Sequence, residues 1–189
     1  MVRLMILMLL GAVIMTMVPL GVGIRDDQTR EAVAKWFEKV GNEKPKLSRL
    51  HFYLQFNFTG NNASVVLVAQ PNITSPTGFG EVYVFDGLLT KKPEVNSKAV
   101  GRAQGIFAYT SREENAFTEV ANYVFTRGEY KGSTLQLIGY GTSEEQILEF
   151  SVVGGTGALR LARGTAFLGT LFIDADRETI EVDIFFFQY

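Results

Sequence analysis

From Leu50 onward the chain alternates with a period of two. Leu50, Phe52, Leu54, Phe56 and Phe58 fall on one side of an extended segment, and His51, Tyr53, Gln55, Asn57 and Thr59 fall on the other. The final segment behaves alike: Ile180, Val182, Ile184 and Phe186 alternate with Glu181, Asp183, Phe185 and Phe187. Only a strand gives successive side chains opposite faces, so this pattern dictates β structure. Further strands are predicted at 64–70, 80–87, 98–110, 117–127, 133–140, 146–153, 158–168 and 171–187. Turn signals punctuate them: Gly60-Asn61-Asn62 reads as a hairpin, with others at Pro71-Asn72, Pro76-Thr77-Gly78, Arg127-Gly128, Lys131-Gly132, Gly139-Tyr140-Gly141 and Gly154-Gly155. An antiparallel set of this size must hide its edges. Closure into an all-β barrel is the simplest solution, and a two-sheet sandwich is the alternative.

Two segments precede the strands. Residues 27–40 place Ala32, Val33, Trp36, Phe37 and Val40 at helical spacing, and Gly41-Asn42 ends the pattern. Before them, Arg3 is followed by an apolar run from Leu4 to Val18, then Pro19 and the small residues Gly21 and Gly23. That order is the one of a secretory signal peptide cleaved after Gly23 or Gly21, a signal anchor being the alternative. The expected organisation is a signal peptide over 1–23, a helical and linker segment over 24–46, and a barrel domain over 47–189. Three acceptor triplets at Asn57, Asn62 and Asn72 fit an exported, N-glycosylated chain.

Composition narrows the chemistry. Cysteine is absent and histidine occurs once, which excludes a disulfide scaffold, thiol chemistry and Cys- or His-rich metal sites. With 18 basic and 20 acidic residues, the mild negative charge argues against nucleic acid or an anionic membrane as partner. A catalytic triad would have to use His51, whose strand position points it outward, and no Gly-x-Ser-x-Gly elbow is present. Gly154-Gly155-Thr156-Gly157 precedes a strand-like pattern, so it reads as a tight turn and not as a phosphate cradle. Asp174-Ala175-Asp176 reads as a solvated turn. Asp86 ends an aromatic strand before Gly87: a carboxylate at a pocket mouth or an Asp–Gly turn.

An ordered set of segments carries a family resemblance. Leu50-His51-Phe52-Tyr53-Leu54, Gly101-Arg102-Ala103-Gln104-Gly105, Val153-Gly154-Gly155-Thr156-Gly157 and Ala162-Arg163-Gly164 resemble the plant dirigent proteins over residues 46–189. The resemblance implies an eight-stranded antiparallel barrel, secreted to the apoplast and assembled as a homotrimer or homodimer. It implies a function in steering the coupling of monolignol phenoxy radicals to optically active lignans. It also implies that a separate oxidase, a laccase or peroxidase, makes the radicals, and that the barrel carries no cofactor. Some relatives close rings through a quinone methide with carboxylates as acid or base.

Residue by residue, the resemblance points to a substrate-binding set with Tyr109 and Asp86 as polar handles and Phe56, Phe107 and Phe167 as walls. It also exposes departures. Phe56 and Gly141 stand where many members have pocket carboxylates, Leu148 where they have Arg, and Phe167 where they have Thr. A more apolar cavity than the family's usual one is expected, suited to holding an aromatic guest by shape; with the usual carboxylates lost, a cell-wall barrel that binds phenolics without directing their coupling is a further alternative beside the cyclase.

Overall fold

The computed structural model of the chain describes residues 27–189. The expected signal peptide over 1–23, with its cleavage positions, lies outside the described residues. Helix α1 spans Asp27–Val40, as the spacing predicts, with Glu31 and Lys35 paired at 2.8 Å on its surface. The Gly41 amide closes its last turn on the Phe37 carbonyl.

Lys44–Tyr189 forms a separate compact unit. Its strands are β1 (Lys46–Asn57), β2 (Val65–Ala69), β3 (Val82–Thr90), β4 (Ala99–Tyr109), β5 (Ala116–Phe125), β6 (Thr134–Thr142), β7 (Ile147–Thr156), β8 (Arg163–Ile173) and β9 (Arg177–Gln188). Antiparallel neighbours run β3 to β9 in order; β9 pairs with β1, and β1 pairs back onto β3, closing a barrel of eight strands to which β2 adds an extra one.

Closure has an uneven seam. β1 pairs with β9 along its whole length, but with β3 only from Tyr53↔Thr90 to Gln55↔Leu88. Beyond that point β2 takes over the edge of β3, starting at Val65↔Phe85. Both β1 and β2 are antiparallel to β3, so they run in the same direction. The Gly60-Asn61-Asn62 segment is therefore no hairpin. It is an excursion whose ends meet where the Ser64 amide donates to the Asn57 carbonyl.

Other predicted turns also lie inside strands. Gly139 and Gly141 are interior positions of β6, where their missing side chains leave room for the Phe150 ring and the Leu148 side chain. Asp86-Gly87 lies in the middle of β3, not at its end. Gly154-Gly155 continues β7, and the chain turns at residues 157–162 instead, through a short 3-10 turn (Gly157–Leu159) and Leu161 at φ +63°. Strand β8 accordingly starts at Arg163, later than predicted. The Asp174 turn is as expected, its carboxylate accepting from the Asp176 and Arg177 amides.

Alternation decides what fills the barrel. Phe52 and Leu54 of β1, Tyr123 of β5, Leu135 and Leu137 of β6, Phe150 of β7, and Val182, Ile184 and Phe186 of β9 are fully buried and make one core. Removing several such side chains from water supplies the main driving force for closure. Leu54 and Phe150 of this core also line a hollow between the inward faces of the strands.

Candidate functional site

Three cross-strand rows build the hollow. In the first, Tyr83, Phe107, Glu119, Gly139 and Phe150 stand side by side on β3 to β7. Nearer the barrel mouth, Tyr109, Phe117 and Gly141 form a second. On the opposite wall Phe56 of β1 pairs with Glu178 of β9. The cavity measures about 360 Å³, and the loop after β6, with Ser143, Glu145 and Gln146, rims it. That volume sits at the low end for small-molecule sites.

The aromatic side of the cavity is organised by ring contacts. Tyr83 stacks on Phe107 with centroids 4.7 Å apart, and Tyr109 meets Phe107 and Phe117 edge-on at 6.1 and 6.3 Å. Edge and offset arrangements are those that ring quadrupoles favour. The Tyr83 hydroxyl donates to Glu81 at 2.6 Å, which with burial raises its pKa to about 12. Burial also raises Tyr109, helped by the negative fields of Glu81 and Glu178. Both phenols therefore keep their protons near neutral pH.

Two carboxyls face this apolar wall. Glu119 is the single charged residue on the inner face of β5, between Phe117 and Ala121. Burial, and then the neighbouring charge of Glu178, push its pKa up to about 8. It is neutral through most of the physiological range. Burial raises Glu178 as well, although the Thr170 hydroxyl donates to it at 2.8 Å and opposes the shift. Among the described residues lining the cavity no Lys, Arg or His balances the pair. Deeper on β5 the Tyr123 hydroxyl is wholly buried and lacks a hydrogen-bond partner.

Of the residues expected from sequence, Phe56, Phe107 and Tyr109 come together in this cavity. Asp86 and Phe167 do not. The parity of β3 sends Phe85 inward and Asp86 outward, where Arg102 pairs with it at 2.5 Å. The parity of β8 buries Ala166 and Leu168, leaving Phe167 outside against Phe185. Asp86 lines a larger hollow of about 670 Å³ on the outer surface, floored by Val66, Val68 and Val84. That hollow is a groove between strand faces, and the barrel wall separates it from the aromatic cavity. Leu148 does line the cavity, whereas Gly141 contributes only space. No group of three or more metal-ligating side chains occurs among the described residues.

A closed antiparallel barrel of eight strands with an aromatic-lined cavity towards one end is an architecture able to hold one small ligand. The Dirigent-like protein family matches residues 47–187, and the chain belongs to the dirigent family. It is similar to Dirigent protein 1 of Arabidopsis thaliana, 39% identical over 147 residues, or 77% of this chain and 81% of that one. It is equally similar to Pterocarpan synthase 1 of Glycyrrhiza echinata, 40% identical over 79% of this chain and 82% of the other. Among solved structures, the pterocarpan synthase dirigent protein GePTS1 superposes with a TM-score of 0.72 at 39% identity, covering 78% of this chain and 88% of that one.

Proposed function

We propose that the chain is a dirigent auxiliary that holds a monolignol phenoxy radical in the aromatic cavity and so imposes stereoselectivity on its coupling to a lignan. One observation carries this reading: Phe56, Phe107, Tyr109 and Phe117 converge on a cavity large enough for an aromatic guest and free of lining cations. In water two such radicals meet in every orientation. A cavity that presents one face of one partner removes the wrong encounters. Discrimination of about 10:1 needs only ~1.4 kcal/mol of orientational preference. The oxidant is external, a laccase or peroxidase.

A second reading, a cyclase or isomerase acting on a quinone methide, is favoured by the Glu119 and Glu178 carboxyls inside the cavity and by the similarity to a pterocarpan synthase. Chiral chromatography of coniferyl alcohol dimers separates the two. The first reading predicts an enantiomeric excess that grows with protein and appears only with a one-electron oxidant. Racemic dimers at saturating protein contradict it, and turnover without any oxidant moves the assignment to the cyclase.

The setting follows from the same reading. The chain is secreted to the apoplast, its mature form beginning at Ile24, and Asn57, Asn62 and Asn72 are all exposed as glycan acceptors. Self-association uses the outer face, where Val66, Val84, Ile106, Val120 and Ile138 stand in one cross-strand row over five strands, each 41–50% exposed. A continuous apolar row on the outside of a closed barrel needs a cover, and a second copy presents a matching one.

A further inference from the structure

Strand β1 loses its β3 neighbour at Tyr53↔Thr90, and from Phe52 back to Leu50 no described strand lies on that side of it. There β3 turns away into its hairpin with β4, where the Lys91 amide donates to the Lys98 carbonyl at 3.0 Å. The turn after β5 runs alongside, held by the Thr126 amide on the Val100 carbonyl at 3.0 Å and bent at Gly128, φ +79°. Between these segments lies a separate hollow of about 330 Å³. It belongs to the end of the barrel where β3 joins β4 and β5 joins β6. The aromatic cavity is rimmed by the loop from β6 to β7, at the opposite end.

The walls of this hollow divide by chemistry. Phe52, Val100, Phe125 and Tyr130 supply an apolar part, with the Phe125 and Tyr130 rings 6.1 Å apart. The Tyr130 hydroxyl accepts from the Gln188 amide at 3.0 Å, which fixes its ring. Lys91, Lys98 and Arg127 supply three cations, and Glu129 is the one acid of the lining. None of these four charges forms a salt bridge among the described residues. His51 also borders the hollow, but its ring nitrogens are engaged by Asp183 and by the Tyr53 hydroxyl, each at 3.1 Å.

The chain carries two more acids than bases, so three unpaired cations around one hollow reverse its sign locally. Like charges gathered in this way repel one another, and low-dielectric walls strengthen the field that they offer to an anion. The apolar part sets a second requirement. A bare inorganic anion leaves the rings unused, and a neutral ring leaves the cations unused. We propose that the hollow is a binding site for a small aromatic carboxylate, its ring against Phe125 and Tyr130 and its carboxylate among Lys91, Lys98 and Arg127. The Arg127 guanidinium can grip both carboxylate oxygens, and the two lysines add point charges. A volume of about 330 Å³ suits one ring with a short acidic arm. The site is independent of whatever occupies the aromatic cavity.

Titration of the isotope-labelled protein with cinnamate, followed by amide shifts, tests the assignment. Saturable shifts at Leu50, Lys98 and Gly128 are expected, and they should weaken as salt rises from ~20 mM to ~200 mM. Arg127→Gln should raise the Kd about tenfold, Lys91→Gln and Lys98→Gln about threefold each, and Glu129→Gln should lower it. All four positions are exposed, so the variants should fold as the wild type does. Methyl cinnamate and acetate, each lacking one half of the ligand, should bind about tenfold or more weakly. Methyl cinnamate binding as tightly as cinnamate overturns the proposal, since the cations then contribute nothing. Acetate or polygalacturonate binding while cinnamate does not overturns it in favour of a general anion patch. Shifts confined to Phe107, Tyr109 and Phe117 and unaffected by Arg127→Gln place cinnamate in the aromatic cavity and overturn it too, as does the absence of any shift.

Discussion

A glutamate between Phe117 and Ala121 ties the fold's stability to pH. Its folded carboxyl keeps its proton to about pH 8, whereas the unfolded one loses it near the ordinary 4.5. The folded chain thus binds more protons across that window, and stability must fall as pH rises through it. The thermal midpoint of Glu119→Gln should lack this decline, which a series of melts from about pH 5 to about pH 8 will show. The Tyr123 hydroxyl makes a complementary case. Buried without a partner, it costs about 1–3 kcal/mol, so Tyr123→Phe should be neutral or stabilising in urea denaturation. Glu119 was legible in principle: Phe117, Ala121, Tyr123 and Phe125 share its parity, and one acid in an apolar row is a signal. Asp86 misled because an Asp–Gly pair suggests a turn or a mouth, while strand parity alone turns it outward. Phe167 misled for the same reason, since counting from Arg163-Gly164 finds a position but not a face.

At the scale of elements, the alternation located most strands to within a few residues. The strand expected at 171–187 crosses the Asp174 turn, with 171–173 ending β8 and β9 starting at Arg177, and elsewhere glycine misled. Gly139 and Gly141 read as a turn, yet they hollow out β6 so that Phe150 and Leu148 can enter. Gly139→Ala places a methyl group against the Phe150 ring and should destabilise by about 1–3 kcal/mol, read from denaturant midpoints at unchanged slope. Pairing partners were out of reach of any local pattern, so the seam at β1, β2 and β3 went unforeseen. Gln55 shows this well. Its alternation predicts an outward polar residue, but the segment after β3 covers it. There its amide donates to the Thr90 hydroxyl and the Pro93 carbonyl, and its oxygen accepts from Thr179 at 2.7 Å. On the outer surface, Ile106→Glu puts a charge in the middle of the apolar row. Light scattering should then report a lower mass than for the wild type, with an unchanged circular dichroism spectrum. An unaltered mass would place any interface elsewhere.

Taken whole, the molecule separates its tasks between its two ends and its two surfaces. A dense core of Phe52, Tyr123, Leu135 and Phe186 secures one end of the barrel, and the aromatic cavity occupies the other. The outside carries the Asp86–Arg102 groove, the apolar row and the exposed Asn57, Asn62 and Asn72. The central claim is that an aromatic guest enters the inner cavity. Isotope-filtered NOE spectroscopy of the labelled protein with unlabelled coniferyl alcohol tests it most directly. Cross-peaks from the guest to ring protons of Phe107, Tyr109 and Phe117 are the predicted result. Cross-peaks confined to Val66 and Val84 of the outer groove, or none at saturating guest, would contradict it.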